Sequence, residues 1–219
     1  MSELYGQQHR LLQDEFDTTK LADRVKELIV VSEIPDEHKA FIESRDMFFL
    51  TTIDHRGFPT CSYKGGAPGF VKVLNNKTIV FPSYDGNGMF LSMGNIQANN
   101  KIGMLLIDFE TPHRIRIHGT AVIDKQDPLI GEFPGATLLV RVTISEIFVN
   151  CPRYIHQYRR VESSKYTPQA GFEAAVAPQW KRIDAIQDVL SEQEQAGVMK
   201  QGGTITPEEY GEMIMKGEA

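Results

Sequence analysis

A glycine-punctuated segment, FPSYDGNGMFLSMGNIQ over residues 81–97, is the part of the chain best suited to bind a phosphate group. An apolar strand ends there in a turn that leads directly into a predicted helix over Met89–Ala98. Gly86 and Gly88 let the backbone approach an anion closely, and a helix start offers unpaired N–H groups and the positive end of its dipole. The segment therefore predicts a phosphate site. The alternative is an ordinary helix start with Asp85 as its N-cap.

A second segment, GFPTCSYKGGAPGFVKV over residues 57–73, places a lysine inside a predicted strand. Thr60, Ser62 and Lys64 share one face of that strand, which combines hydroxyl groups with an ammonium group. The Gly-Gly pair that follows exposes bare backbone, whose polar groups could bond the edge of a flat ligand. The alternative is a lysine on a solvated sheet edge.

The stretches KGG-x-PGFV at residues 64–71 and YDGNGM at residues 84–89 together resemble the flavin-binding proteins related to pyridoxamine 5'-phosphate oxidase. The resemblance covers about residues 41–158. It implies a split β-barrel that binds FMN at the interface of a homodimer. It does not imply the named oxidase activity, because the family's strand carries arginine and lysine where this chain has Ser62 and Ala67.

Further cations come from the stretch PHRIRIHG, where Arg114 and Arg116 lie on one face of a predicted strand. Two guanidinium groups on one sheet face are costly unless an anion or a polar ligand edge meets them. The resemblance assigns Arg114 to the pyrimidine edge of the flavin. The alternative is an exposed face whose arginines pair with Asp108 or Glu110.

Side chains near these segments complete the expected FMN site. Asn87 and Ser92 can donate hydrogen bonds beside the backbone N–H groups of the turn. Asn150 and Arg153 follow the last long strand and are expected to reach a flavin bound by the other subunit. The residues expected to contact FMN are Ser62, Tyr63, Lys64, Gly65, Ser83, Tyr84, Asn87, Gly88, Met89, Ser92, Arg114, Arg116, Asn150 and Arg153.

Composition excludes several other classes of protein. The chain has 219 residues, a formal net charge of −6 and no cluster of basic residues with interleaved aromatics, so a nucleic-acid partner is not expected. No apolar run is long enough to span a membrane, and the polar N-terminus does not resemble a signal peptide, so a cytoplasmic location is expected. Cys61 and Cys151 are far apart, and His113 and His118 have opposite strand parity, so no metal site is expected.

The predicted organisation is mainly β (α+β), with an N-terminal helical arm at 1–45, a split-barrel flavin-binding domain at 46–150 and a C-terminal helical arm at 151–219. In the C-terminal arm, the spacing of Ile183, Ile186 and Leu190 predicts a packed helix face. The predicted strands are Met47–Ile53, Thr60–Lys64, Val71–Leu74, Thr78–Ser83, Lys101–Phe109, Ile115–Asp124 and Thr137–Val149. Because Leu91 occupies the third glycine position of a dinucleotide fingerprint and strands do not alternate with helices, one phosphate, and hence FMN, is expected rather than FAD or NAD.

Two function classes remain open from the sequence. The first is an FMN-dependent oxidoreductase that uses a small-molecule electron donor or acceptor and lacks pyridoxamine 5'-phosphate oxidase activity. No acid or base residue stands out as catalytic. The second is a flavin-binding or flavin-sensing module without turnover. A haem-binding split barrel is a third and less favoured hypothesis, because no histidine lies in an obvious axial position.

Overall fold

The computed structural model describes residues 4–168 and 177–219. The chain divides into two compact units, Met1–Glu162 and Ser163–Ala219. No helix within the described residues is long and apolar enough to cross a membrane.

The first unit holds a seven-stranded sheet, in which every pairing of neighbouring strands is antiparallel, and four helices. The strands follow the order β2-β1-β5-β6-β7-β4-β3 across the sheet. The helices are α1 (Gln7–Glu15), α2 (Thr19–Ile29), α3 (Asp36–Ser44) and α4 (Leu91–Ala98). The strands are β1 (Met47–Ile53), β2 (Pro59–Gly65), β3 (Lys72–Asn75), β4 (Thr78–Tyr84), β5 (Lys101–Asp108), β6 (His113–Asp124) and β7 (Ala136–Val149).

The sheet curls around its main apolar core. Phe48 of β1 and Phe81 of β4 belong to strands that are far apart in the sheet order, yet their rings meet edge to face with centroids 4.9 Å apart. Both side chains are fully buried in a cluster that also includes Met93 and Ile96 of α4. The expected mainly β fold, an open antiparallel barrel with flanking helices, is therefore confirmed.

The strand predictions agree closely with the structure because apolar and polar residues alternate along most strands. β1 begins and ends where the sequence predicts, and the other strands differ by at most two residues at either end. Strand β7 departs from strict alternation. A register shift places His118 opposite Glu146 but Gly119 opposite Ile144, so Ser145 is an extra residue that forms a β-bulge.

Helices α1 and α2 lie on the outer face of the sheet, whereas Ile42 of α3 belongs to the core. The phenol of Tyr5 donates to the carbonyl of Ala22 at 3.1 Å, which joins α1 to α2. Beyond α2, Val31 exchanges two backbone hydrogen bonds with Ile147 of β7, at 3.0 and 2.8 Å. These bonds hold the segment that follows α2 beside the bulge in β7.

The second unit contains α5 (Glu192–Lys200), α6 (Pro207–Lys216) and two 3₁₀ turns at Gln179–Arg182 and Asp184–Val189. The predicted packed face over Ile183, Ile186 and Leu190 lies on a 3₁₀ turn rather than on an α-helix, and the three side chains are partly buried. Ile183 forms a parallel bridge with Ile205, and this backbone pairing interrupts the turns where an α-helix would have to continue.

Candidate functional site

A cavity of about 220 Å³, here called the cradle, lies between β2, the end of β4 and the start of α4. Many of the predicted FMN contacts line it. These are Ser62, Lys64, Ser83, Tyr84, Asn87, Gly88, Met89 and Ser92. The walls also include Gly86, Phe90, Leu91 and Met93. The sequence did not identify Phe90 and Leu91, two apolar residues at the mouth of the cradle.

Hydrogen bonds between side chains hold α4 against β2. The amide Nδ2 of Asn95 donates to the hydroxyls of Thr52 and Thr60, both at 3.0 Å, and those two hydroxyls are 2.7 Å apart. One helical turn earlier, the hydroxyls of Ser92 and Ser62 are 2.9 Å apart. The distance between the helix start and the strand is therefore fixed by polar contacts that lead toward the cradle.

Lys64 is the next residue along this face of β2. Its side chain is half-buried, and it forms no hydrogen bond or ion pair with another residue in the described part of the chain. Burial lowers the pKa of the Lys64 ammonium group. A cation that is partly removed from water and has no protein counter-ion is ready to pair with an anionic ligand.

The loop before α4 brings its backbone to the cradle, which Gly86, Gly88 and Met89 line. Gly88 has φ +76° and Phe90 has φ +48°, two left-handed conformations that turn the chain into the helix. The side-chain oxygen of Asn87 accepts a hydrogen bond from the Met89 N–H at 3.1 Å. This geometry delays the helix to Leu91, two residues after the predicted start at Met89.

The N-terminus of α4 has no side-chain cap, because its N-cap residue is Phe90 and not Asp85. The alternative interpretation, an ordinary helix start capped by Asp85, is therefore wrong. The N–H groups of the first turn lack the usual capping acceptor. With Lys64 on the facing strand, they form a compact set of donors suited to a phosphate.

Two predicted contacts lie on the other face of the sheet. Tyr63 is 63% exposed, and its ring contacts Phe49 on the outer face of β1 at a centroid distance of 6.1 Å. Gly65 has the same parity, and a Cβ built there would lie 2.8 Å from the Tyr63 ring. Neither residue lines the cradle.

The remaining predicted contacts also lie away from the cradle in the same chain. Arg114 donates from Nη2 to the carbonyl of Cys151 at 3.2 Å, rather than pairing with Asp108, which binds Arg45 at 2.7 Å. The Nε of Arg114 and the Oδ1 of Asn150 are buried without a hydrogen-bond partner. Arg153 is exposed, with its guanidinium 6.0 Å from the centroid of the Tyr154 ring.

Arg116 and Asn150 line a second, larger cavity of about 960 Å³ on the outer face of the sheet, here called the outer cavity. It lies between the N-terminal helices and strands β1, β5, β6 and β7. His118 and Glu146 meet in it, with Nδ1 and Oε1 2.7 Å apart. The sequence did not identify this pair, although the break in alternation at Ser145 and Glu146 was a visible signal. No group of His, Cys, Asp and Glu suited to a metal ion occurs among the described residues.

Comparison with known proteins gives one family match. The family model described as pyridoxamine 5'-phosphate oxidase matches residues 34–151. The matched range includes the strands that line both cavities and every residue that lines the cradle. A search of curated proteins finds no significant match.

Solved structures of similar fold include HupZ from Group A Streptococcus, with 21% identity over 53% of this chain and 93% of that chain and a TM-score of 0.43. An FMN-binding protein from Syntrophomonas wolfei has 11% identity over 64% of this chain and 97% of that chain, with a TM-score of 0.41. HutZ, the haem storage protein from Vibrio cholerae, has 20% identity over 53% of this chain and 94% of that chain, with a TM-score of 0.40.

Proposed function

Because the chain belongs to the pyridoxamine 5'-phosphate oxidase family, we propose that it binds FMN with the phosphate in the cradle and acts as a flavin-dependent oxidoreductase. The flavin would supply the hydride chemistry, while the protein places the ring and adjusts its surroundings.

One observation carries this proposal: Lys64 and the uncapped start of α4 face the same small cavity. The ammonium group has no partner among the described residues, and the helix N–H groups have no capping side chain. A phosphate group satisfies both needs at once, because its oxygens accept several hydrogen bonds and its charge pairs with the lysine. Ser62 and Ser92 line the same cavity, and their hydroxyls can add further hydrogen bonds.

The size of the cradle bears on where the flavin ring lies. Its volume of about 220 Å³ is smaller than the roughly 300–1,000 Å³ of typical small-molecule pockets, so the ring extends beyond it. The apolar side chains of Phe90 and Leu91, which are 61% and 55% exposed, stand at the mouth. We propose that a second copy of the chain covers the ring.

The dimer proposal also gives a role to several of the predicted contacts that lie away from the cradle. Arg114 keeps a buried N–H group without a partner, and the carbonyl groups at a flavin edge are acceptors for it. In the proposed dimer, Arg114 and Arg153 of one chain reach the flavin held by the other, whereas Arg116 and Asn150 line the outer cavity of their own chain. Tyr63 and Gly65 are on the same outer face and would lie within that interface.

Comparison of FMN with riboflavin tests the phosphate site directly. FMN should bind more tightly than riboflavin, and Lys64→Ala should weaken FMN by about 1.5–3 kcal/mol, the value of a lost charge-assisted hydrogen bond. Riboflavin affinity should stay the same in that variant. Lys125→Ala is the matched control, because Lys125 is exposed and distant in sequence from the cradle. Isothermal titration calorimetry gives both affinities, and equal affinities for the two flavins would contradict the proposal.

The pH dependence of FMN binding adds a second test of Lys64. Burial lowers the pKa of Lys64, so its ammonium form is lost at a lower pH than that of an exposed lysine. Since the phosphate binds the ammonium form, FMN affinity should fall as the pH rises through this lowered pKa. Riboflavin shares the titration of the flavin ring and serves as the control. The extra fall seen with FMN should disappear in Lys64→Ala.

Sedimentation experiments test the dimer. A ligand held by both chains stabilises only the associated state, so removal of FMN should raise the dimer dissociation constant. Arg153→Ala, a change at an exposed side chain, should weaken FMN and the dimer together. A chain that stays monomeric when saturated with FMN would contradict this part of the proposal.

Turnover separates the oxidoreductase from a flavin-binding module without activity. The cradle face of β2 carries one lysine, already engaged by the flavin phosphate, so oxidation of pyridoxamine 5'-phosphate should be negligible. Anaerobic stopped-flow spectroscopy in the visible flavin band, with NADH, NADPH and pyridoxamine 5'-phosphate tested separately, should show slow reduction by a nicotinamide. Rapid reduction by pyridoxamine 5'-phosphate would contradict this expectation, and no reduction by any donor would favour the non-enzymatic module.

A further inference from the structure

The outer cavity has the size and shape of a ligand site in its own right. Its volume of about 960 Å³ lies at the upper end of the range for small-molecule pockets, and its lining shares no residue with that of the cradle. The two cavities lie on opposite faces of the sheet, since Thr51 of β1 faces the outer cavity while Leu50 and Thr52 face the core.

Cations dominate the charge of this cavity. Lys26, Lys101 and Arg116 line it, and Glu146 is the single acid among its described lining residues. Within the described part of the chain, neither Lys101 nor Arg116 forms an ion pair with a carboxylate. Such a group of cations is unusual on a chain whose net charge is −6, and it favours an anionic occupant.

A carboxylate and a histidine lie at the centre of the floor. Glu146 is 8% exposed although it points to the outer face of the sheet, and its Oε1 is 2.7 Å from Nδ1 of His118. The β-bulge at Ser145 turns Glu146 toward this face. Bulges of this kind often re-aim a side chain at a functional site.

The strand register shows how the cations are arranged around this pair. His118 lies opposite Gly103, Arg116 lies opposite Leu105, and Lys101 lies opposite Thr120. Lys101 and Arg116 therefore stand on either side of the His118–Glu146 pair along the strands. Gly103 adds no side chain beside His118, which leaves the centre of the floor open.

Apolar side chains form the rest of the cavity. Phe148 and Ile53 come from the sheet, while Val25 and Ile29 come from α2 above it. The ring of Phe148 meets His118 edge to face at 5.6 Å and lies 5.6 Å from the guanidinium of Arg116. An apolar wall beside several cations is suited to a molecule with an apolar body and an acidic group.

A buried polar atom without a partner also lies at this cavity. The Oδ1 of Asn150, one of the lining residues, is buried and has no hydrogen-bond partner. Unsatisfied buried acceptors are rare in folded proteins and call for an explanation such as a ligand that donates a hydrogen bond.

From these observations we infer that the outer cavity binds an organic anion, a small molecule that combines an apolar ring or chain with a carboxylate, sulfonate or phosphate group. Lys101 and Arg116 pair with the acidic group, and Phe148 contacts the apolar body. The His118–Glu146 pair supplies a polar anchor at the centre of the floor. This site does not depend on FMN binding in the cradle.

A matched pair of dyes tests this inference. 8-Anilinonaphthalene-1-sulfonate carries an apolar body and one negative charge, and N-phenyl-1-naphthylamine has nearly the same body without the charge. Calorimetric titration of the full chain should show one sulfonate dye bound per chain, with the neutral dye binding more weakly. Lys101→Gln and Arg116→Gln should each lower the affinity for the sulfonate dye roughly threefold to tenfold and leave the neutral dye unchanged.

Three controls make the result specific to the outer cavity. Lys125→Gln removes a charge elsewhere and should change the affinity for the sulfonate dye less than about twofold. Lys64→Ala should leave dye binding unchanged, so failure of the FMN proposal would not affect the outcome here. Saturating FMN should not displace the dye. Thermal melts should show that the glutamine variants fold, since both side chains are exposed.

Two results would overturn the inference. Equal affinity for the sulfonate dye in the parent chain, Lys101→Gln and Arg116→Gln would mean that the dye binds elsewhere, for example on the exposed leucines of α1 and α2. Competition between FMN and the dye would mean that the outer cavity belongs to the flavin site of the proposed dimer.

Discussion

The cradle and the outer cavity lie on opposite faces of one sheet and are built in different ways. Most of the cradle comes from two short segments, residues 62–64 and 83–93, so its glycines, hydroxyls and lysine stand close together in the sequence. The outer cavity draws on the N-terminal helices and four strands. Its floor depends on strand register and on one bulge. A site of the first kind can be identified from a motif, whereas a site of the second kind requires the fold.

This difference should also divide the effects of mutation. Glycine substitutions at the floor of the outer cavity act on backbone packed inside the sheet, so they should mainly lower stability. Changes in the cradle loop act on exposed backbone, so they should mainly alter ligand binding. The three predictions below test that division at positions where the two regions offer comparable substitutions.

Gly119→Ala should give the largest effect. A Cβ at this position would lie 2.5 Å from the carbonyl oxygen of Thr143, and that oxygen belongs to the backbone of β7 and cannot swing away. Overpacking of this kind costs about 1–3 kcal/mol. Urea unfolding should therefore show a clearly lower free energy of unfolding, with binding of FMN per folded chain preserved.

Gly103→Ala is the matched control for that substitution. It lies on the paired strand, yet its Cβ would meet ordinary contacts at 3.8 Å to Thr51 and 3.9 Å to His118. The free energy of unfolding of Gly103→Ala should differ from that of the parent chain by less than about 1 kcal/mol. Equal destabilisation by the two substitutions would mean that the bulge beside Gly119 does not restrict the local packing.

Asn95→Ala tests the polar contacts that hold α4 against β2 beside the cradle. The variant loses the donors to Thr52 and Thr60, but those two hydroxyls remain 2.7 Å apart and can still bond each other. The expected loss is about 1–2 kcal/mol, below the cost of leaving both partners unsatisfied. Gln97→Ala, at an exposed position of α4, is the control. If Asn95→Ala were as stable as that control, the polar contacts would not hold the helix.

The contrast between the two regions explains how far the sequence alone predicts the structure. Alternation of apolar and polar residues predicted β1 to the residue and the other strands nearly so, because burial of one face determines which residues lie inward. Glycine spacing and a lysine on β2 predicted most of the cradle. The helix start was misplaced by two residues, because the left-handed conformation of Phe90 has no signal in the residue type.

The outer cavity escaped prediction for a physical reason. His118 and Glu146 are 28 residues apart, and a regular strand would not turn both Glu146 and Ser145 outward. The register is fixed where Gly119 permits close approach of β6 to β7, a long-range contact that no local pattern reports. Similarly, no local pattern reports the bridge between Ile183 and Ile205, which lies between the two 3₁₀ turns of the second unit.

Substitutions at Gly86 and Gly88 should give the smallest effect on stability and separate stability from binding most clearly. Gly88 has φ +76°, so alanine there is strained by about 1 kcal/mol, whereas a Cβ on Gly86 meets nothing within 4 Å and should change stability by less than about 0.5 kcal/mol. Both methyl groups would stand where the backbone must approach the phosphate. FMN affinity should therefore fall in both variants, while riboflavin affinity stays nearly constant. In Gly86→Ala, the loss of FMN binding free energy should exceed the loss of unfolding free energy. Urea unfolding of the flavin-free chain and calorimetric titration with each flavin measure the two effects separately. Full FMN affinity in Gly86→Ala would show that the phosphate does not approach this backbone, and the cradle would then be a feature of the loop without a ligand-binding role.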